Sequence, residues 1–337
     1  MPVVFERHPG PGSRRRSRAA GSGEKPIIIG LVNNMPDAAL QSTESQFSGL
    51  LGRAAGAREV RLRLTSFPEL PRSLDARGHI QRCYWPIEAL LAQAPDALIV
   101  TGTEPRAAYL TQEPYWQRTV DLLAFAQEHL RTSIWSCLAA HAAVLSLHGI
   151  ERRRLPEKRC GVYAHSILAT HPLLAGVRAP MHMPHSRWNE VSPAALRAAG
   201  YTLLSWSDES GADAFVRQDR TLLLFFQGHP EYDDVTLLKE YRRDVGRYLS
   251  AEQSHYPTLP TGYLSDEAIA LLGAFEARAR AQRSGALLAN FPFAAVAATL
   301  TNRWQSAAVR IYDNWLSFIA AARDSPCAAE TVSCASL

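Results

Sequence analysis

The chain has 337 residues, 47% of them hydrophobic and 20% charged, the balance of a globular protein with a sizeable core and not of a disordered or fibrous chain. No apolar run approaches the ~18 residues of a membrane span, and the basic residues 1–26 lack the apolar stretch of a secretory signal, so a cytoplasmic location and no membrane partner are expected. The net charge of +4 is carried entirely by residues 1–25; the formally neutral remainder argues against nucleic acid as a partner.

Residues 1–25, rich in Gly, Ser, Pro and Arg, read as a disordered basic tail. Order is expected from "KPIIIGLVNNMPD", a buried strand running into a loop, followed by a helix over "QSTESQFSGLLGRA". "EVRLRLTSF" alternates Val60, Leu62 and Leu64 with charges, as a half-exposed strand does. "DALIVTGTEP" is a fully apolar strand ending at Thr-Gly-Thr, and "PYWQRTVDLLAFAQEHL" an amphipathic helix with Pro in its first turn. "RTSIWS" is a further short strand, and "LAAHAAVLSLHGI" a helix stopped by Gly149. Later, "YTLLSWS" is strand-like, "DAFVRQDRTLLLFF" reads as two strands joined at Gln218-Asp219-Arg220, and "VTLLKEYRRDVGRYL" is an amphipathic helix. This alternation predicts a doubly wound, mostly parallel α/β sheet over residues 26–250. Residues 251–337, with the aromatic helix "NRWQSAAVRIYDNWLSFIAAA", read as a helical C-terminal extension that packs back on the domain or against a partner chain.

Open α/β sheets gather their chemistry beyond the C-terminal ends of the strands. Three segments have that address. "IVTGT" offers Gly102 and turn amides as an oxyanion site. "IWSCLAA" sets Cys137 at a strand-to-helix junction, where the helix dipole favours negative charge on sulfur. "LFFQGHPEYD" supplies His229 and Glu231 after Gly228. Together Cys137, His229 and Glu231 can act as nucleophile, base and orienting carboxylate in acyl transfer. Pattern alone leaves a second reading open, a buried thiol and a tight turn. The five cysteines are odd in number, contain no C-x-x-C pair and read as reduced thiols. His182 and His185 lack an acidic or cysteine ligand at matching spacing, so no metal is expected; His141 and His148 read as structural.

The segments "NNMPDAALQSTESQF", "LIVTGTEP", "SIWSCLAAHAAVLSLHGI", "EKRCGVYAH", "PHSRWNEV" and "GHPEYDDVTLLKEYRRDV" occur in an order that resembles the homoserine O-acyltransferases of methionine biosynthesis. These share the class I glutamine amidotransferase fold, and the resemblance covers residues 27–249, with an echo in "NWL" at 314–316. Amidotransferases proper usually flank the nucleophile with glycine, and "WSCLAAH" does not. The resemblance implies Cys137 as the acyl-thioester nucleophile in a ping-pong mechanism, His229 as proton acceptor and Glu231 as its partner. Lys158, Ser186 and Arg243 fall where the family binds substrate. It further implies an acyl-CoA donor with no bound cofactor, L-homoserine as acceptor, and a homodimer.

Two departures bear on specificity. Where the family carries a Glu or Gly associated with acetyl or succinyl donors, "TGTEPRAAY" carries Arg106, a cation suited to the free carboxylate of succinyl-CoA. "NNMPDAALQSTES" lacks the lysines often found after Met-Pro, which leaves a serine-like acceptor open beside homoserine. Arg152, Arg153, Arg154 and Arg159 either meet the phosphates of coenzyme A or form a solvated loop. The rivals to a succinyltransferase are an acetyl donor, an amidotransferase-like hydrolase and an inactive binding relative.

Overall fold

The apolar runs of the sequence become the middle of one sheet. The computed structural model describes residues 3–9 and 25–324. Its first half comprises β1 (Val4–Phe5), β2 (Ile27–Val32), α1 (Asp37–Ala54), β3 (Val60–Thr65), α2 (Leu74–Cys83), α3 (Ile87–Ala92), β4 (Ala97–Val100), α4 (Trp116–His129), β5 (Thr132–Ser136) and α5 (Leu138–His148). Then follow β6 (Arg152–Ile167), β7 (Met181–Val191), α6 (Pro193–Ala198), β8 (Thr202–Leu203), β9 (Ser205–Ser207), β10 (Gly211–Ala212), β11 (Ala214–Gln218) and β12 (Leu222–Phe226). Four helices complete it: α7 (Thr236–Leu249), α8 (Asp266–Ala281), α9 (Phe293–Ala297) and α10 (Gln305–Asp324).

Eight strands form the main sheet in the order β1-β3-β2-β4-β5-β12-β11-β8. The first six run parallel, and β11 and β8 close the far edge antiparallel. β4, β5 and β12 are buried at every position, which is why β4 and β12 are continuous apolar runs that do not alternate, while β5 buries Thr132, Ser133 and Ser136 beside Ile134 and Trp135. On one face Leu31, Leu62 and Ile99 pack with Phe47 of α1 and Trp315 of α10. On the other, Val32, Leu98 and Trp135 pack with Leu122 of α4 and Val144 of α5. A third apolar cluster joins α7, α8 and α9 around Tyr241, Leu272 and Phe275.

Two expectations change. β3 is not half-exposed: Arg63 is only 1% accessible. β1 pairs with β3, Glu6 reaches the Arg63 guanidinium at 3.1 Å, and the ring of Trp85 lies 4.6 Å from it. A charge alternating with leucines is therefore covered, because a neighbouring strand brings it a carboxylate and an aromatic face. The same contacts hold residues 3–9 in place, contrary to the expected disorder; residues 10–24 lie outside the described part. The aromatic face of α10, offered by the sequence to either the domain or a partner, is internal here. Trp304, Tyr312 and Trp315 are buried, and the Trp315 indole donates to Thr132 Oγ1 of β5 at 2.9 Å.

A second sheet, β10-β9-β6-β7, stands beside the first. Its β6–β7 hairpin carries Arg152, Arg153, Arg154 and Arg159 on a strand and not on a loop. The pairing slips between Arg154 and Arg159, where Pro156 has no amide to give the ladder. Among the described residues no helix is long and apolar enough to cross a membrane.

Replacing Trp315 by Ala empties a fully buried site shared by α10 and the sheet, and is expected to cost about 3–5 kcal/mol in urea denaturation. Trp315→Phe keeps a ring but loses the bond to Thr132, and is expected to cost clearly less. Equal, small losses for both would mean that α10 is not part of the cooperative unit.

Candidate active site

Cys137 lies between β5 and α5 with φ 53° and ψ −113°, a backbone conformation that non-glycine residues rarely adopt. Such strain costs about 1–3 kcal/mol and persists only where its surroundings over-determine it. Here the Cys137 amide donates to the Phe226 carbonyl at the end of β12 (2.7 Å), and the Cys137 carbonyl accepts from His141 in the first turn of α5 (3.2 Å). Gly102 lies against the next residue. A Cβ at position 102 would stand 2.9 Å from the Leu138 amide nitrogen and 2.7 Å from its Cβ. Only glycine lets the loop after β4 approach that first-turn amide, which has no acceptor within its own helix. The junction therefore sets a thiol beside a free N–H and the positive end of a helix dipole.

The base comes from the neighbouring strand. β12 ends at Phe226, and the chain turns through Gly228, whose missing side chain leaves room for Met183, Pro184 and Asp213. The Gly228 amide donates to Asp213 Oδ1 (2.7 Å) and the His229 amide to the Pro184 carbonyl (2.8 Å). His229 Nδ1 binds Glu231 Oε1 at 2.8 Å, and the ring stacks on Tyr232 with centroids 4.2 Å apart. With Nδ1 so held, the imidazole lies close enough to Cys137 for the sulfur to act on its charge. Burial opposes a charge on His229, but the Glu231 carboxylate and the Cys137 sulfur outweigh it and raise its pKa well above the ordinary imidazole value. Cys137, His229 and Glu231 are thus brought together.

Lys158, Ser186 and Arg243 also converge, with partners that the sequence reading passed over. Lys158 Nζ lies 2.7 Å from Asp244 Oδ2 and 3.5 Å from Glu240 Oε2. Ser186 donates to Glu240 Oε2, and the Tyr232 hydroxyl to Glu240 Oε1 at 2.6 Å. Arg243 reaches Asp244 at 2.9 Å and keeps about half of its side chain exposed, at 49%. Glu240, Arg243 and Asp244 share one face of α7, where i, i+3 and i+4 residues meet. Tyr232 links this group to the His229 ring. Burial pushes the thiol of Cys160, beside it, up to about 12, which disfavours the reactive thiolate. An acidic pair four residues apart on an amphipathic helix carries no local signal, and only the Lys158 strand packed against it reveals a site.

The remaining predicted positions are scattered. Arg106 is exposed on a cleft it shares with Asn34, Arg72, Glu113 and Tyr115; its amide and that of Ala107 both donate to Glu113 Oε1. Arg153 and Arg159 pair with Glu190, and Arg154 lies over Trp188. His185 has an acidic neighbour that sequence spacing hid: ligand atoms of His165, His185 and Asp213, all buried, lie within 4.8 Å of one another. His182 is not in that group. His165 is already bonded to the Tyr163 carbonyl (3.1 Å) and Ser210 (2.9 Å), and Arg187 Nε approaches His185 Nδ1 at 3.3 Å. Burial and the nearby Arg187 press His185 well below the usual imidazole range. A guanidinium at one ligand disfavours a divalent cation there. The group instead supports the Gly228 turn through Asp213.

Glu240 and Asp244 are held below the ordinary carboxylate range although burial pulls the other way; Lys158 leads the groups that outweigh it in both. The unfolded chain therefore takes up protons first on acidification, and this contribution to stability, present at neutral pH, is lost as pH falls through the folded-state values. Asp244→Asn is expected to be less stable than the parent at about pH 7, with the gap narrowing below about pH 4. Urea denaturation across that range checks it; parallel curves would show that the charge of Asp244 is not what stabilises the cluster.

The chain matches the homoserine O-succinyltransferase family over residues 13–325. It is 47% identical to a homoserine O-succinyltransferase of Methylorubrum extorquens over 88% of each chain. Identity to that of Rhodopseudomonas palustris is 44%, over 90% of this chain and 92% of the other. Among solved structures, a glutamine amido transferase from Methylobacillus flagellatus aligns with a TM-score of 0.50 over 87% of this chain and 94% of that one; at 14% identity the likeness concerns the fold alone. The chain belongs to the homoserine O-succinyltransferase family, and is an acyltransferase on a glutamine amidotransferase-like α/β fold.

Proposed function

We propose that the protein transfers the succinyl group of succinyl-CoA to the hydroxyl of L-homoserine, in methionine biosynthesis, through a thioester on Cys137. One observation carries this: a thiol on a strained strand-to-helix elbow, within electrostatic reach of an imidazole whose Nδ1 is held by a buried carboxylate. The names of the relatives, 38–47% identical, support the donor and the acceptor.

In this reading His229 takes the thiol proton as sulfur attacks the donor carbonyl. The oxygen that becomes negative meets the Leu138 amide at the helix N-terminus. Collapse breaks the carbon–sulfur bond to coenzyme A, which leaves as a thiol with the proton from His229. The homoserine hydroxyl then gives its proton to His229 and attacks the thioester; ester formation releases Cys137, to which the proton returns. Glu231 keeps the imidazole in the orientation and tautomer that both halves use. Arg243, with its exposed edge, suits the amino-acid carboxylate, and Glu240, ionised among Lys158, Ser186 and Tyr232, suits the ammonium.

Mixing the protein with succinyl-CoA alone is expected to leave one succinyl group on the chain by intact mass, discharged on adding L-homoserine and absent in Cys137→Ala. Glu231→Gln is expected to lower kcat by about 10²-fold. Coenzyme A release that is as fast with acetyl-CoA, or as fast with serine, would overturn the donor or the acceptor assignment respectively.

A further inference from the structure

Arg152 opens β6, directly after the turn that ends α5, and it differs from the other arginines of the hairpin. Arg153 and Arg159 are paired with Glu190, and Arg187 donates to the carbonyls of Asn189 (2.8 Å) and Ser210 (2.5 Å). The side chain of Arg152 is half-buried, and its Nη1 is fully buried with no hydrogen-bond partner among the described residues. Leaving a guanidinium nitrogen out of water without an acceptor is costly, and natural structures rarely keep such a group without a use.

Two other buried polar atoms nearby share this condition. The Tyr115 hydroxyl, on a residue 7% exposed, has no partner, and neither has His141 Nδ1, on a residue 2% exposed. His141 Nε2 binds Gln227 Oε1 at 3.0 Å, and Gln227 is fixed in orientation by donating its own Nε2 to the Ala212 carbonyl at 2.7 Å. His141 therefore carries its proton on Nε2, and Nδ1 is a bare acceptor. Tyr115, Glu113, His141 and Cys137 all lie within electrostatic range of the Arg152 charge. Glu113 is occupied by two backbone amides and makes no ion pair with Arg152. The Arg152 cation, within electrostatic range of the nucleophile, thus has a buried donor to spare, as does the Tyr115 hydroxyl.

We propose that Arg152, with the Tyr115 hydroxyl, receives the distal carboxylate of the acyl group carried on Cys137, and so selects a dicarboxylic acyl-CoA over an unsubstituted one. This rests on the thioester reading above and names the residue behind its donor choice. One carboxylate oxygen takes the Arg152 Nη1 proton and the other the Tyr115 hydroxyl; a second guanidinium proton satisfies His141 Nδ1. Arg106 is the weaker candidate for this task. Its guanidinium is exposed at the cleft, and a hydrated surface cation discriminates little between anions and neutral groups.

The test compares succinyl-CoA with butyryl-CoA, which has the same chain length and the same coenzyme A phosphates but no terminal carboxylate. Arg152→Met is expected to lower kcat/KM and the rate of Cys137 acylation by about 10- to 100-fold with succinyl-CoA, and by less than about threefold with butyryl-CoA. Arg152→Lys falls between the parent and Arg152→Met. Tyr115→Phe removes a single oxygen and is expected to shift the succinyl/butyryl ratio in the same direction, which keeps the test open should Arg152→Met fold poorly. An equal loss with both donors assigns Arg152 to the coenzyme A phosphates or to folding, and overturns the proposal. A parent chain that forms the succinyl adduct, but whose donor ratio survives both Arg152→Met and Tyr115→Phe, overturns the carboxylate pocket alone. Coenzyme A release by the parent with no adduct on Cys137 overturns the thioester mechanism itself.

Discussion

The hydrogen bond from the Cys137 amide to the Phe226 carbonyl joins the ends of β5 and β12, and the rest of the site hangs from it. The two strands run parallel with Ser136 opposite Phe226, so the segment that carries the thiol and the one that carries the imidazole leave the sheet side by side. Almost a hundred residues of chain separate them. Neither local propensity nor a flexible loop brings two such distant side chains to one place; a shared ladder with fixed register does. The burial of every residue in both strands is what makes that register costly to slip.

Around this junction the polar groups are organised by what they must not do. Asp213 is fully buried, and desolvation raises its pKa above the ordinary carboxylate value; its Oδ1 anchors the Gly228 amide beneath His229. Farther out the order reverses. Glu240 and Asp244 stay ionised because Lys158 and Arg243 face them, and Tyr232 connects this charged group to the stacked imidazole. A buried, hydrogen-bonded floor and an ionic wall give the two sides of one imidazole different environments, which suits a group that accepts and returns a proton.

Much of the frame was legible in the sequence. β4 and β12 were continuous apolar runs, Gln218-Asp219-Arg220 marked the β11–β12 turn, Gly149 marked the end of α5, and Cys137 stood at a change of periodicity. What escaped was carried by contacts between distant segments. The alternation of Arg61 and Arg63 with leucines suggested an exposed face, because nothing local announced that Glu6 and Trp85 would cover Arg63. Asp213 gave no metal-like or catalytic spacing, since its meaning depends on meeting Gly228 across the β11–β12 hairpin. Glu240 and Asp244 matched the polar face of any amphipathic helix until β6 laid Lys158 on them. Arg152 was one of four basic neighbours, and only the buried, unpartnered Nη1 separates it from the three that found partners.

The pairing of β1 with β3 has a consequence beyond the burial of Arg63. Without it β3 would be the outer strand of a wide parallel sheet, six residues of regular backbone with one side unpaired. An open edge of that length is a template for a second chain, and proteins commonly blunt it with short or irregular strands. Here two residues do so at one margin, and the two-residue β8 does the same at the other. The short strand β1 thus covers Arg61 and Leu62 of an edge that would otherwise be open along its whole length.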